Sequence, residues 1–309
     1  MKYVFGPVPS RRLGNSLGVD LVTFKACTFD CVYCQLGRTT EQTAERRVFV
    51  PADEVVAEVK EVLASGARVD YLTLSGSGEP TLSLDLGRVI RAVKAITALP
   101  VAVLTNGSLL GRPDVQADLA EADLVVPSLD AATQAAFERV NRPKGLDARD
   151  VARGIRDFTL GYGGQVWLEV LVVAGANDTV EEARAIVNAL EGARIDKVQL
   201  NTVARAPAES WAGPVPVERM ERLAQVLEGL APVEIIGGYS AKDHASGRPD
   251  VEEAILATLA RRPCGPAELA ASLGLKAVVV VKHVEAMEHS GRLERIVVGG
   301  TIQYRVPPQ

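Results

Sequence analysis

Three of the four cysteines in this chain, Cys27, Cys31 and Cys34, lie within eight residues of one another. They directly follow an apolar segment that is typical of a strand. Their spacing lets three thiolates from one loop converge on one small cubic centre, and thiolates are the soft ligands that iron–sulfur clusters select. A four-iron cluster held by three cysteines has one iron without a protein ligand. Open coordination at a metal usually serves chemistry, because purely structural sites close their ligand shell.

Two other uses of these cysteines fit less well. A structural zinc site needs four ligands, and the remaining candidates, Cys264, His244, His283 and His289, lie far along the chain. A disulfide framework is disfavoured because the cysteine count within the group is odd and the chain does not begin like a secretory segment. The iron–sulfur interpretation is therefore favoured.

The motif Cys27-x3-Cys31-x2-Cys34, with Tyr33 just before the last cysteine, resembles that of the radical S-adenosylmethionine (radical SAM) superfamily. In such proteins the free iron of a [4Fe–4S] cluster chelates SAM, and one electron cleaves SAM to a 5′-deoxyadenosyl radical. The resemblance implies the cluster and SAM as cofactors, a flavodoxin- or ferredoxin-like one-electron donor as partner, and sensitivity to oxygen. It does not indicate what the radical attacks.

Length and charge set broad limits. The 309 residues suffice for one large domain and a small one, and the formal net charge is −5. Since no apolar run approaches the roughly 18 residues of a membrane span, and iron-binding thiolates suit a reducing compartment, a soluble cytoplasmic protein without membrane contact is expected. The negative charge argues against a surface coated for gripping nucleic acid, although a local basic patch is compatible with it.

Strands and helices alternate along most of the chain. Strands are predicted at residues 17–23, 69–74, 101–105, 124–129, 165–173 and 197–203, with a short extended piece at 233–236. Helices are predicted at residues 51–66, 84–98, 113–121, 133–140, 147–162, 179–190 and 216–230. The alternation indicates an α/β fold with a parallel sheet covered by helices, either an open doubly wound sheet or, as we predict for residues 1–242, a partial six-stranded β/α barrel. The segment 6–14, rich in glycine and proline, is predicted to be a loop.

Polar or glycine-rich residues follow every predicted strand, where ligands bind in such sheets. The cysteine loop follows the first strand, and residues 75–81, 105–108, 127–130 and 175–178 follow the next four. Asn201 and Arg205 lie at the end of the sixth. Each segment alone is ordinary turn chemistry. Six of them at one edge, with the cysteine loop among them, predict a site.

The resemblance assigns cofactor contacts to this edge. Residues 75–79 look like the glycine-rich motif of radical SAM enzymes, in which Gly76 and Gly78 allow close backbone approach and Glu79 holds the SAM ammonium. A simple role for Glu79 as a helix-entry acid is the alternative.

Further cofactor contacts follow from the same resemblance. Ser128 and Asp130 occupy the place where the family's fourth strand binds the methionyl and ribose parts of SAM. Asn106 and Asn201 are expected to reach the same cofactor. Tyr33 is expected near the adenine, with core packing as the alternative.

The substrate side of the site is predicted from charge. Glu169 is expected to face the barrel interior, where an acid needs a partner, and Glu169 and Arg205 are the candidate catalytic residues. Five cations fall in loops at the barrel rim and favour an anionic substrate, RNA or a small molecule. They are Arg11, Arg12, Arg142, Lys144 and Arg205.

Residues 250–309 differ from the rest. Helices at residues 251–261, 265–273 and 276–290, then a hairpin at 294–298 and 301–306, predict a winged-helix-like domain after a linker at 243–249. Its seven acids and seven bases balance, which predicts a weak grip on phosphates. Substrate docking, dimerisation or a lid over the barrel are at least as compatible with it as DNA binding. Cys264 is expected to be a buried small residue.

A closer likeness is to radical SAM proteins related to the 4-demethylwyosine synthases that modify tRNA, carried by residues 6–14 and 198–202. Those synthases use a second set of cysteines for an auxiliary cluster, whereas only Cys264 remains here. Three hypotheses stay open: a radical SAM enzyme acting on RNA or a small molecule, an activase or peptide-modifying enzyme, and a redox-sensing DNA-binding regulator.

Overall fold

The computed structural model describes residues 1–10, 12–204, 207–236, 249–260, 263–273, 275–298 and 301–307. Its first ten strands are β1 (Val4–Ser10), β2 (Gly14–Val19), β3 (Ala26–Cys27), β4 (Glu41–Gln42), β5 (Tyr71–Leu74), β6 (Val101–Thr105), β7 (Leu124–Pro127), β8 (Gln165–Val172), β9 (Lys197–Thr202) and β10 (Val233–Ile235). The helices among them are α1 (Ala52–Ala64), α2 (Leu86–Lys94), α3 (Pro113–Leu119), α4 (Gln134–Val140), α5 (Ala148–Gly161), α6 (Val180–Ala189) and α7 (Val217–Leu227).

Eight of these strands form one sheet in the order β1-β2-β5-β6-β7-β8-β9-β10. All neighbours are parallel except β1 and β2. The predicted α/β class and its six parallel strands are confirmed. The extended piece predicted at 233–236 is a further parallel strand, because β10 pairs with β9 from Val233 to Ile235.

The prediction of a loop at residues 6–14 is wrong, because β1 and β2 form an antiparallel hairpin there. Strand β1 lies at the sheet edge, where proline costs no ladder hydrogen bond. Its pairing shifts between Phe5 and Val8, and such a bulge absorbs the irregular backbone between them. Gly18 completes the fit, because a Cβ there would lie 2.0 Å from the Phe5 ring.

One ion pair shows that the sheet is strongly curved. Arg12, between β1 and β2, places Nη1 2.9 Å from Oε2 of Glu169 on β8 and donates to Oε1 of Gln199 on β9 at 3.2 Å. Strands β2 and β8 are four positions apart in the sheet, roughly 19 Å if the sheet were flat. The contact therefore requires the sheet to curl into a partial barrel with these side chains in its interior.

The core lies between the outer face of the sheet and the helices. Along β8, Val166, Leu168, Val170 and Val172 are buried in this core, while Glu169 and its alternate neighbours face the other side. Helix α1 contributes Val55, Val59 and Val62, the spacing of one buried helix face. The outer face of the sheet is thus apolar, and polar side chains are left to the barrel interior and the strand ends.

The C-terminal part comprises α8 (Pro249–Leu259), α9 (Pro266–Leu273), α10 (Ala277–His289), β11 (Glu294–Val298) and β12 (Thr301–Arg305). Strands β11 and β12 form an antiparallel hairpin. Three helices and a hairpin appear in the predicted order, and Cys264 is 1% exposed within their own apolar cluster. The winged-helix assignment and the domain division at residues 242 and 250 stay predictions. The linker predicted at 243–249 lies almost wholly outside the described residues.

The C-terminal helices pack against the N-terminal hairpin. Phe5, Val8 and Val278 form one apolar cluster, and Lys276 places Nζ 3.4 Å from Oδ2 of Asp20. Asp20 in turn accepts hydrogen bonds from the backbone and hydroxyl of Ser77. The start of α10 is thereby connected to the glycine-rich segment at residues 75–79. Within the described ranges, every helix is too short or too polar to cross a membrane.

Candidate iron–sulfur site

The cysteine loop lies between β3, which ends at Cys27, and β4. Cys27, Cys31 and Cys34 are partly buried and free of disulfides. Two backbone bonds fix the loop to the end of α4: Asp30 N donates to Asn141 O at 3.0 Å, and Val32 N donates to Val140 O at 2.9 Å. The end of α4 therefore helps to hold the cysteine loop in its conformation.

Each of the three sulfurs accepts a hydrogen bond from a nitrogen donor. Asn106 Nδ2 lies 3.4 Å from Cys27 Sγ, and Asn141 Nδ2 lies 3.4 Å from Cys31 Sγ. The ammonium of Lys25 lies 3.0 Å from Cys34 Sγ. Such donors stabilise thiolates and tune the clusters that thiolates hold. Among the described residues, no group of three or more His, Cys, Asp or Glu side chains is arranged as it would be around a metal ion. The fit of this loop to an iron–sulfur cluster rests on its donor chemistry.

Burial controls the ionisation of the thiols. It raises the pKa of Cys27 to about 11, assisted by the carboxylate of Glu79. It also raises the pKa of Cys31 well above its usual range, assisted by Asp130. Thiols of this kind lose their protons when a metal binds, so the free energy of cluster binding must cover their deprotonation.

The glycine-rich segment lies directly behind the cysteine loop. Glu79 N donates to Ala26 O at 3.0 Å, and Lys25 N donates to Ser77 O at 2.7 Å. A Cβ on Gly78 would lie 2.0 Å from Ala26 O. Gly76 has φ +149°, and a Cβ there would lie 2.8 Å from Asp20 Cγ. Both predicted glycines thus permit close approach, and the groups they approach belong to the protein.

Glu79 is buried and caps the 3₁₀-helix Pro80–Leu82. Its Oε1 accepts from Thr81 N at 3.0 Å and from the hydroxyls of Thr81 and Thr105 at 2.7 Å, while Oε2 accepts from Asn106 N at 2.7 Å. Burial raises its pKa, and no cation of the described chain forms an ion pair with it. The geometry of a helix-entry acid is observed, and the predicted contact with the SAM ammonium stays a prediction.

Asp130 lies at the end of β7 and is fully engaged. Its Oδ2 accepts hydrogen bonds from Tyr33 Oη and from Asn141 Nδ2 at 2.7 Å, and its Oδ1 accepts from Leu171 N at 2.9 Å. Burial raises the pKa of Asp130 to about 6. The structure thus brings Tyr33 and Asp130 together and joins both to the Asn141 that contacts Cys31.

Two further predicted cofactor residues lie at the same strand ends. Asn106 follows β6 and donates through Nδ2 to Thr28 Oγ1 at 2.6 Å as well as to Cys27. Ser128 follows β7, is half-buried, and bridges to Glu169 of β8 through its backbone. Asn106 is therefore adjacent to the cysteine loop, whereas Ser128 lies toward the Glu169 side of the barrel interior.

Glu169, an acid in the barrel interior, has a cation and an amide as partners. It pairs with Arg12 and accepts a hydrogen bond from Asn201 Nδ2 at 2.7 Å. Oδ1 of Asn201 and Nε2 of the adjacent Gln199 are buried without a hydrogen-bond partner. The predicted catalytic Glu169 and cofactor-binding Asn201 are thus in direct contact. Arg205, the other catalytic candidate, lies outside the described residues.

The predicted basic rim is largely neutralised where it is described. Arg12 does not lie at this rim, because it precedes β2 at the amino end of the parallel strands and pairs with Glu169 in the barrel interior. Arg142 pairs with Glu209 at 2.7 Å. Arg38, which sequence reasoning missed, pairs with Glu209 too, and these hydrogen bonds, led by that of Arg142, lower the pKa of Glu209. Lys144 is exposed, and Arg11 lies outside the described residues.

The sequence analysis also missed Lys25 and Asn141, two of the three donors to the sulfurs. Lys25 is close to the motif, but surface lysines are so common that its type carries no signal. Asn141 lies 110 residues from Cys31. Neither contact is visible without the fold.

Comparisons with known proteins identify the family of this chain. Residues 21–190 match the family model described as the Radical SAM superfamily. The chain is 31% identical over 310 residues to a UPF0026 protein of Methanocaldococcus jannaschii, covering 98% of this chain and 96% of that one. It is 36% identical over 307 residues to a Brachyspira hyodysenteriae protein named GTPase Obg, covering 99% of this chain but only 45% of that relative.

A solved structure, TYW1 with a lysine–pyruvate adduct bound, has a TM-score of 0.53 at 17% identity, covering 70% of this chain and 74% of that one. At this identity the likeness is one of fold. The family match includes the cysteine loop, the glycine-rich segment and the strand ends around them. The chain therefore belongs to the radical SAM superfamily of enzymes and, within it, to the UPF0026 proteins.

Proposed function

We propose that Cys27, Cys31 and Cys34 hold a [4Fe–4S] cluster and that the protein binds SAM beside it. When bound, these groups supply a 5′-deoxyadenosyl radical for modification of a substrate. The observation that carries the proposal is a loop of three thiols whose sulfurs each accept a hydrogen bond from a nitrogen donor. The proposal includes a flavodoxin- or ferredoxin-like electron donor and the reducing cytoplasm, where such thiols stay unoxidised.

The surrounding residues would divide the work of binding. Asn106 and Asn141 orient Cys27 and Cys31. Glu79, buried among neutral donors, offers a negative charge to the SAM ammonium. Asp130 already binds Tyr33, so its contribution would be to fix that ring at the cofactor.

The proposed contacts also include Gly76, Gly78, Ser128 and Asn201. The two glycines hold the segment that carries Glu79 against the cysteine loop, as the close approaches of Gly76 to Asp20 and Gly78 to Ala26 indicate. Ser128 and Asn201 lie around Glu169, toward the barrel interior.

For the substrate we propose an anion, RNA or a small molecule. Arginines bind phosphates and carboxylates in a bidentate, charge-assisted manner. Arg38 and Arg142 both approach Asp30 of the cysteine loop, at 3.3 and 3.8 Å. An incoming anion would exchange with the carboxylates of Asp30 and Glu209, so binding should weaken as salt rises.

The function is tested by SAM cleavage without substrate. Anaerobically reconstituted protein, reduced with dithionite and given SAM, is expected to release 5′-deoxyadenosine and methionine in equal amounts, slowly. Chromatography with mass detection measures both products, and the same sample without dithionite is the control. A reduced, iron-loaded protein that leaves SAM intact would contradict the proposal.

Replacing Glu79 with glutamine tests the ammonium contact. The change keeps the shape but removes the charge and the acceptor for Asn106 N, and loss of the charge should cost about 1.5–3 kcal/mol and so weaken SAM binding roughly 10- to 100-fold. Isothermal titration on the iron-loaded protein measures the affinity. Glu54→Gln is the control, because Glu54 accepts from Tyr3 Oη near the N-terminus. Equal SAM affinity in wild type and Glu79→Gln would remove Glu79 from the cofactor contacts.

A further inference from the structure

Lys25 is a lysine in a place where lysines are rarely found. It is 4% exposed, although its side chain ends in a charge, and it lies two residues before Cys27. Its Nζ lies 3.0 Å from Cys34 Sγ. A buried charge needs a compensating charge or a full set of hydrogen bonds. The surroundings of Lys25 must therefore explain why it is there.

In the described part of the chain, no carboxylate supplies the compensation. None among the described residues forms an ion pair with Lys25, in contrast to Lys276, whose ammonium meets Asp20. The groups that do face Lys25 are sulfurs. The group that contacts its ammonium is the Cys34 sulfur, with Cys27 and Cys31 on the same loop. The negative charge that would compensate this ammonium is therefore that of the sulfurs once they are ionised, as cluster binding requires.

The backbone holds Lys25 in a costly conformation. Its φ is +60°, a region that a residue with a Cβ rarely adopts. Hydrogen bonds on both sides keep it there: Lys25 N donates to Ser77 O at 2.7 Å, and Lys25 O accepts from Glu41 N at 3.2 Å. A conformation of this kind persists only where its surroundings determine it, and it directs this side chain inward beneath the cysteine loop.

The three sulfurs differ in their donors. Cys27 and Cys31 each accept from a neutral amide at 3.4 Å, whereas Cys34 accepts from an ammonium at 3.0 Å. Reduction potentials of iron–sulfur clusters depend on net charge and on hydrogen bonds to the sulfurs. Of these three donors, only the ammonium at Cys34 contributes both a positive charge and a hydrogen bond.

We infer that Lys25 is a positioning residue that sets the reduction potential of the cluster through Cys34. Thiolate-ligated clusters become more negative by one charge when they take up an electron. A fixed cation at the ligand sulfur stabilises that reduced state more than the oxidised one, so it raises the potential and eases reduction by a one-electron donor. The inference rests on the proposed function, since it requires the cluster on these cysteines.

The test is a redox titration of anaerobically reconstituted protein, with dithionite as reductant and the reduced cluster followed by electron paramagnetic resonance. Lys25→Met is expected to keep its iron but to lower the midpoint potential by at least about 59 mV, which is a tenfold change in the equilibrium constant for a one-electron step. Lys25→Gln, which keeps an N–H donor without the charge, should fall between Lys25→Met and wild type. Lys94→Met is the control, because Lys94 pairs with Asp123 and its loss removes a charge away from the loop.

Each outcome is decisive. A potential unchanged in an iron-loaded Lys25→Met protein overturns the inference while leaving the proposed function intact. If neither Lys25 variant takes up iron although wild type does, the lysine serves assembly of the loop and the inference is also overturned. A wild type without a cluster would instead contradict the proposed function. An equal shift in Lys94→Met would assign the effect to overall charge.

Discussion

Cys31→Ala protein, reconstituted anaerobically, is expected to lose the iron and the visible absorption that wild type acquires. Wild type should bind about four irons per chain. Cys31 is one of only three thiols on its loop, and the fourth cysteine, Cys264, is buried in the C-terminal part beside Tyr304. With one ligand removed, two thiolates remain for the cluster. Iron and sulfide analysis together with absorption spectra measure the loss.

Cys264→Ala is the matched control. It removes a thiol of the same chemistry that is 1% exposed in a separate apolar cluster, so iron content should stay at the wild-type level. Cys27→Ala and Cys34→Ala should behave like Cys31→Ala. A Cys31→Ala protein that keeps its iron, or a Cys264→Ala protein that loses it, would reject the assignment of ligands.

Parts of this architecture were predictable because the signals are local. The spacing of Cys27, Cys31 and Cys34 requires only that one loop turn back on itself. The apolar strands and amphipathic helices repeat with periods that the sequence displays directly. The ends of parallel strands then lie at one edge of the sheet, which brings Asn106 and Asp130 to the cysteine loop without knowledge of any side-chain contact.

Other features depend on tertiary contacts and left no such signal. The hairpin of β1 and β2 runs through a segment rich in glycine and proline, and it forms because an edge strand with a bulge tolerates those residues. Asn141 reaches Cys31 only because α4 ends against the loop. Lys25 reaches Cys34 only because its backbone adopts a positive φ.

The polar contacts also change how the predicted residues are understood. Glu79 and Asp130 were predicted from the family as cofactor contacts, yet each is also a hub of protein hydrogen bonds. A buried acid of this kind fixes several backbone segments at once. Its substitution should therefore affect loop geometry as well as SAM affinity. Glu79→Gln keeps an oxygen for the three donors to Oε1 and loses the charge and the bond from Asn106 N, so it is more informative than truncation to alanine.

Gly78→Ala is expected to disturb the site without touching a ligand or a charge. The added Cβ would lie 2.0 Å from Ala26 O and 3.0 Å from a Val22 methyl carbon. The closest atom is backbone, which cannot rotate away, and Ala26 directly precedes Cys27. Overpacking of this kind costs about 1–3 kcal/mol, so the Tm should fall by roughly 2–5 °C, and iron uptake should fall with it because the cysteine loop must shift.

Gly163→Ala provides the comparison, since nothing lies within 4 Å of the Cβ it would add, and both its Tm and its iron content should match wild type. Differential scanning calorimetry and iron analysis on the same preparations separate the two effects. If Gly78→Ala binds iron and melts like wild type, the glycine-rich segment does not support the cysteine loop. Its glycines would then be needed only for the approach of SAM, and a loss of SAM affinity alone would identify that role.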